Sequence, residues 1–167
     1  FTGDSVLPIV DYSKVKNILI LQSLSKTAGL AGLRIGFAIG TSDIIDNLSR
    51  VQGPYDVNSF AVTAALAALK DHEYIDAYVQ EVLQAKDWVK HQLIKRKVHH
   101  HMAGGNYFLL WPKNKSSDVE ESLRAAGILV RDMKGKSFIE GALRVSIGTT
   151  KQMNYFWDSF SSIDLTT

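Results

Sequence analysis

The 167-residue sequence predicts an α/β fold, and three observations carry that expectation. Short apolar runs such as Ile18-Leu-Ile-Leu21 and Tyr107-Phe-Leu-Leu-Trp111 have the length and side-chain content of strands. Between such runs lie longer segments whose apolar residues recur at three- and four-residue spacing, the mark of a helix with one buried face. Glycine and small polar residues punctuate the changeovers, where turns and helix caps need them.

The elements follow in order. Asn17 to Leu21 reads as a buried strand, a glycine-rich loop follows, and Arg34 to Ile39 reads as a second strand. Thr41-Ser-Asp offers a cap for a helix from Ile44 to Val51, and Pro54 then breaks the pattern. A long helical region begins at Asn58, where Ala61, Ala64, Ala65, Leu66, Ala68 and Leu69 supply a close-packing surface; a second helical segment runs from His72 to Lys97. Beyond it lies a compact α/β unit. Tyr107 to Trp111 reads as a strand, Ser117 to Gly127 as a capped helix ended by glycine, Ile128 to Arg131 and Leu143 to Ile147 as strands, and Lys151 to Ile163 as a terminal helix. No internal repeat or low-complexity linker interrupts this order.

Composition narrows the function classes. With 46% hydrophobic and 22% charged residues the chain can bury a sizeable core, and it reads as a soluble globular piece. A net charge of +2 admits an anionic ligand without the clustered basic surface of a nucleic-acid binder. The lack of cysteine excludes disulfides and thiolate metal sites, and no apolar run is long enough to span a bilayer. Neither a membrane nor a nucleic acid is therefore an expected partner, and no signal peptide is visible.

The stretch Ser23-Leu-Ser-Lys-Thr-Ala-Gly-Leu-Ala-Gly-Leu-Arg-Ile-Gly36 gathers one lysine, two serines and one arginine in a short span. Lys26 follows a strand. If desolvated beside other cations, a lysine amine there gives up its proton more readily and attacks a carbonyl carbon, which is Schiff-base chemistry. Ser23 and Ser25 offer hydroxyl donors, while Arg34 offers a planar guanidinium that can meet a phosphate with two parallel hydrogen bonds. Gly29, Gly32 and Gly36 let the intervening backbone turn and approach a ligand. Taken singly, each of these residues is an ordinary surface residue in most proteins, and it is the ordered run that singles them out.

That run resembles the pyridoxal-phosphate lysine motif of fold-type I aminotransferases, and within them the histidinol-phosphate aminotransferase group. Gly53-Pro-Tyr-Asp-Val-Asn58 resembles that group's Pro-Tyr-Asn-Val-Asn segment, and Gly105-Asn-Tyr-Phe-Leu-Leu110 resembles its Asn-Phe strand. Gly127-Ile-Leu-Val-Arg-Asp132 and Ala142-Leu-Arg-Val-Ser-Ile-Gly148 resemble its two arginine-bearing strands. The resemblance covers nearly the whole chain, in order. It implies the carboxyl-terminal part of a fold-type I transferase: the end of the large-domain sheet with the connecting helix in residues 1–90, and a small α/β domain in residues 91–167. It further implies pyridoxal 5′-phosphate as cofactor, Lys26 as the catalytic residue that carries it, and Ser23, Ser25 and Arg34 as anchors of its phosphate. The implied enzyme is a cytoplasmic homodimer that moves an amino group between histidinol phosphate and the 2-oxoglutarate/glutamate pair. Members of that family are longer. Phe1 falls just after the strand bearing the aspartate that pairs with the pyridine nitrogen, and the chain starts without methionine, so it reads as a carboxyl-terminal piece. The same motif also serves related decarboxylases and aminotransferases for other amino acids, and the chain by itself could be an inactive structural domain.

Arg131 and Arg144 lie within apolar strand-like sequence, where an unpaired guanidinium is expensive to desolvate, so each calls for a partner. One reading places them on the solvent face of an edge strand, paired with Asp132 or Glu140. The resemblance implies another: both face a cleft between domains, Arg144 receiving the substrate α-carboxylate and Arg131 the substrate phosphate. Tyr55 and Asn58 fall in a segment that lines the family's site, although a turn ahead of a helix accounts for them equally well. His99-His100-His101 would alternate faces in a strand and cannot converge on one ion, so no metal site is expected. Trp88, Trp111, Trp157, Phe156 and Phe160 fall at packing spacings, and Asp4 and Asp11 are isolated loop carboxylates that make no acid–base pair.

Overall fold

The computed structural model describes residues 6–165, which leaves Asp4 outside the described residues. The chain divides into two compact units, up to Val79 and from Gln80, and the division falls within one long helix, upstream of the position near residue 90 that the sequence suggests.

In the first unit, strand β1 (Ile20–Ser23) leads into a one-turn helix α1 (Leu24–Thr27), a 3-10 turn (Ala31–Leu33) and strand β2 (Gly36–Ile39). The two strands pair antiparallel from Ile20 opposite Ile39 to Ser23 opposite Gly36, so residues 24–35 close one end of a hairpin. Both strands are displaced from their sequence-based positions. Arg34 adopts a left-handed conformation (φ 54, ψ 44) that no strand accommodates, and β2 therefore starts at Gly36. β1 is also not the buried strand expected, since Ile20 is its single buried residue and Leu21 is exposed.

Helix α2 (Ser42–Val51) follows Thr41, whose side chain makes no capping hydrogen bond. Helix α3 (Ser59–Lys70) is capped by Asn58, whose Oδ1 accepts from Ala61 N at 2.8 Å. Asp71 separates α3 from α4 (His72–Lys95), its carboxylate accepting from Tyr74 N at 3.2 Å. The core of this unit is small: Leu24, Ile35, Ala61 and Ala65 are buried, with Ala28, Leu30, Leu33 and Phe37 packed against them.

The second unit holds the rest of α4 and then β3 (His99–His101), β4 (Tyr107–Trp111), α5 (Ser116–Ala125), β5 (Arg131–Asp132), β6 (Leu143–Ser146) and α6 (Thr150–Asp164). The strands form one antiparallel sheet in the order β3-β4-β6-β5. Phe108 opposes Val145 and Leu110 opposes Leu143, so these four buried side chains share one face. Val89 and Leu93 of α4, Val119 and Leu123 of α5, and Phe156 and Phe160 of α6 are buried with them; Phe108 meets Phe156 edge-on at 6.0 Å, and Phe156 stacks on Phe160 at 5.8 Å. The opposite face carries Tyr107, Leu109, Arg131, Arg144 and Ser146.

Local chemistry sets the boundaries here too. Gly127 ends α5 at φ 77, with Ile128 N donating to Leu123 O and Gly127 N to Arg124 O, the hydrogen bonds of a helix-stop motif. The strand expected over Ile128–Arg131 shrinks to Arg131–Asp132, because only those residues find partners on β6. Thr149 and Gln152 form a reciprocal capping box at the start of α6. At its end the buried Asp164 carboxylate accepts from Lys113 N at 2.9 Å and Asn114 N at 2.8 Å. Among the described residues no helix is long and apolar enough to cross a membrane.

Candidate cofactor and substrate site

Leu24 and Ile35 fix the loop that carries the first group of candidate residues. Both are buried against Ala61 and Ala65 of α3, one at each end of the loop. Their neighbours remain in solvent as a result: Ser23, Lys26 and Arg34 are exposed, and Ser25 is half-buried. Ser23 Oγ accepts from Ser25 N at 3.1 Å, which caps α1 and leaves the hydroxyl hydrogen for another acceptor. Arg34 Nη1 donates to Ala31 O at 3.2 Å, and the rest of the guanidinium fork stays available. Gly36 permits the closing pair of the hairpin, since a Cβ there would lie 2.6 Å from Gln22 O.

One short anchored loop thus carries an amine, two hydroxyls and a guanidinium. That donor set fits a ligand bearing a phosphate and an aldehyde, with the hydroxyls and guanidinium suited to the first and the amine to the second. The desolvation that would ready Lys26 is not supplied by the described residues around it, as its exposure shows. Tyr55 is exposed, and the side-chain oxygen of Asn58 is engaged as the α3 cap. Gly53 N donates to Asp56 Oδ2 at 2.9 Å, closing the turn ahead of that cap.

The two late arginines belong to the second unit, where strand pairing brings them together. Arg131 opposes Arg144 across β5 and β6, so both side chains leave the same face of the sheet. Neither is ion-paired among the described residues. Asp132 instead accepts from Ser116 Oγ at 3.2 Å and Lys134 N at 3.0 Å, and Glu140 accepts from Gly135 N at 2.6 Å, so neither carboxylate is the arginines' ion-pair partner that the sequence allows. With Leu129, Val130 and Ser146 the two arginines line a recess of about 270 Å³. Two like charges directly opposite repel one another, and an anion between them removes that repulsion.

Two further residues of this unit are not singled out by the sequence. Tyr107 lies under the Arg144 guanidinium, 4.2 Å from ring centroid to Cζ. Its signal is the alternation of Tyr107 and Leu109 against Arg144 and Ser146, which has meaning only once β4 is known to pair with β6. Lys86 of α4 donates from Nζ to Ala103 O at 2.7 Å and Gly105 O at 3.2 Å, tying down the loop that leads into β4. Desolvation by burial holds its pKa below the ordinary 10.5.

A family model for class I and II aminotransferases matches residues 2–160. Histidinol-phosphate aminotransferase 1 of Pseudomonas fluorescens is 32% identical over 167 residues, which covers 98% of this chain and 47% of that protein. The crystal structure of the histidinol-phosphate aminotransferase from Clostridium acetobutylicum superposes with a TM-score of 0.83 at 20% identity, covering 100% of this chain and 52% of that one. The crystal structure of L-threonine-O-3-phosphate decarboxylase from Porphyromonas gingivalis does so with a TM-score of 0.73 at 21% identity, covering 98% and 51%. At these identities the two structures establish the fold alone. The chain spans about half the length of the curated relatives it matches.

Proposed function

The chain belongs to the class I and II aminotransferase family, a pyridoxal-phosphate-dependent family, and from that membership we propose that the protein it forms transfers an amino group between histidinol phosphate and the 2-oxoglutarate/glutamate pair. The observation that carries the proposal is the anchored loop, in which Leu24 and Ile35 are buried while Ser23, Ser25, Lys26 and Arg34 remain free to meet a ligand. The substrate assignment is supported by relatives such as the Pseudomonas fluorescens protein that bears this name.

In this reading Ser23, Ser25 and Arg34 would hold the cofactor phosphate, and the Lys26 amine would hold its aldehyde carbon, the aldehyde oxygen leaving as water. The bound cofactor supplies the sink for the electron pair left when the substrate α-carbon loses its proton. Lys26 Nζ, released when the substrate amine takes its place on the aldehyde carbon, would take that proton and return it, and the phosphate anchors would keep it in register with the α-carbon. Arg144 receives the α-carboxylate of glutamate, Arg131 binds the phosphate of histidinol phosphate, and Tyr55 and Asn58 orient the bound molecules. The enzyme works in the cytoplasm as a homodimer.

The test begins with the chain itself: it is mixed with pyridoxal phosphate, reduced with borohydride and mapped by peptide mass spectrometry. The label should fall on Lys26 and vanish in Lys26→Ala; labelling spread evenly over the surface lysines would overturn the assignment. In the whole enzyme, Arg131→Ala should weaken histidinol phosphate by about tenfold or more, and Arg144→Ala should do the same to glutamate. Release of carbon dioxide from a phosphorylated amino acid, with no amino transfer, would mark a decarboxylase instead.

A further inference from the structure

Arg144 is restrained by more than its own strand. Its guanidinium carbon lies 4.2 Å from the centroid of the Tyr107 ring, and its Nε is buried without a hydrogen-bond partner among the described residues. The sheet register brings the two together. Tyr107 opposes Ser146 and Leu109 opposes Arg144, so Tyr107 is the diagonal neighbour of Arg144 on one face of β4 and β6. On the other side Arg131 stands directly opposite, a like charge that pushes the guanidinium away from β5. With nothing to catch it, a long side chain in that position would spread over many rotamers and lose that freedom only when substrate bound. An aromatic face beneath the guanidinium attracts the cation and fixes its plane, while the edge of the fork keeps its donors.

From this geometry we infer that Tyr107 is a positioning residue: it holds the plane of the Arg144 guanidinium so that the edge of the fork meets a substrate carboxylate with two parallel hydrogen bonds. The inference rests on the reading of Arg144 as the carboxylate receptor. It requires the ring face and not the phenol hydroxyl, so phenylalanine can replace Tyr107 and leucine cannot.

The experiment follows the Arg144 Nε–H resonance of the 167-residue chain by NMR and titrates glutarate, a dicarboxylate that lacks the amino group, into the parent chain, Tyr107→Phe and Tyr107→Leu. A proton above a ring is shifted upfield. Tyr107→Leu should lose that shift and bind glutarate about tenfold more weakly, Tyr107→Phe should keep both properties, and all three chains should unfold at similar denaturant concentrations. Retention of the shift in Tyr107→Leu, or glutarate binding as tight as in the parent, would overturn the positioning role alone. If the parent chain shows no response to glutarate at Arg144, the carboxylate reading itself fails and this inference falls with it.

Discussion

At the scale of single residues, Arg34 is one of three non-glycine residues, with Lys97 and Phe138, that hold a left-handed backbone among the described residues. It occupies the left-handed region at φ 54, where a non-glycine residue costs about 1–2 kcal/mol and glycine costs almost nothing. Strain of this kind clusters at ligand-binding sites, and at Arg34 it coincides with the guanidinium proposed to anchor the cofactor phosphate. Arg34→Gly should therefore raise stability in denaturant unfolding by about 1 kcal/mol or less, the relief of strain being partly offset by a looser unfolded chain, while affinity for pyridoxal phosphate drops by more than about tenfold. Unchanged affinity would reduce Arg34 to a turn residue. Asp164 poses a structural question instead. Its buried carboxylate accepts two backbone N–H groups, from Lys113 and Asn114, so Asp164→Ala should cost about 2 kcal/mol and lower the thermal midpoint with no effect on any ligand. Lys86 makes stability depend on pH. Its folded-state pKa is lowered by desolvation, so between that lowered value and 10.5 the unfolded chain binds more protons and stability rises with pH. Below the lowered value the penalty is present in full. Denaturant midpoints across that alkaline window should climb for the parent chain relative to Lys86→Met, and parallel profiles would show that the amine does not feel its burial.

At the scale of elements, the hairpin of β1 and β2 depends on one glycine. A methyl group at Gly36 would meet Gln22 O at 2.6 Å, and that neighbour is backbone, which cannot swing aside. Gly36→Ala should cost about 1–3 kcal/mol and loosen the loop between the strands, seen as faster amide exchange from Leu24 to Ile35 and weaker cofactor binding together. Legibility in the sequence also varies by element. The helices α3 to α6 are readable because their apolar residues recur with helical spacing and Asn58 and Gly127 mark ends of α3 and α5, whereas the Thr149 cap of α6 emerges only in the structure. Lys26, Ser23, Ser25 and Arg34 are readable as a group because a single loop holds them all. The ends of β1 and β2 are not, since they are set by the backbone of Arg34 and by antiparallel pairing, neither of which has a local signature. For the same reason the adjacency of Arg131 and Arg144, and the ring beneath Arg144, stay hidden until β6 is placed between β4 and β5.

At the scale of the whole molecule, the two units differ in how much they bury. Val82, Ala85, Val89, Leu93, Phe108, Leu110, Leu123, Leu143 and Phe160 are fully sequestered in the second, whereas α2 buries no residue and Phe60, Leu66 and Leu21 of the first are exposed. Protection against amide exchange should follow that difference. Mass spectrometry of deuterated peptides should find β4, β6 and α6 exchanging only through large-scale opening, and β1, β2 and α2 exchanging through smaller events of lower free energy. Equal protection in both sets would contradict the burial pattern. The strand order β3-β4-β6-β5 has a further consequence, for synthesis on the ribosome. β4 and β5 both emerge before the strand that will lie between them, and until Leu143 to Ser146 leave the exit tunnel the inner edge of β4 has no hydrogen-bond partner. A helix and a loop must wait for the last strand of the sheet, so the nascent chain carries an open, apolar edge suited to pairing with the wrong neighbour. A pause in translation shortly before those codons would lengthen that exposure, and the yield of folded protein would then depend on how fast the stretch bearing β6 is made.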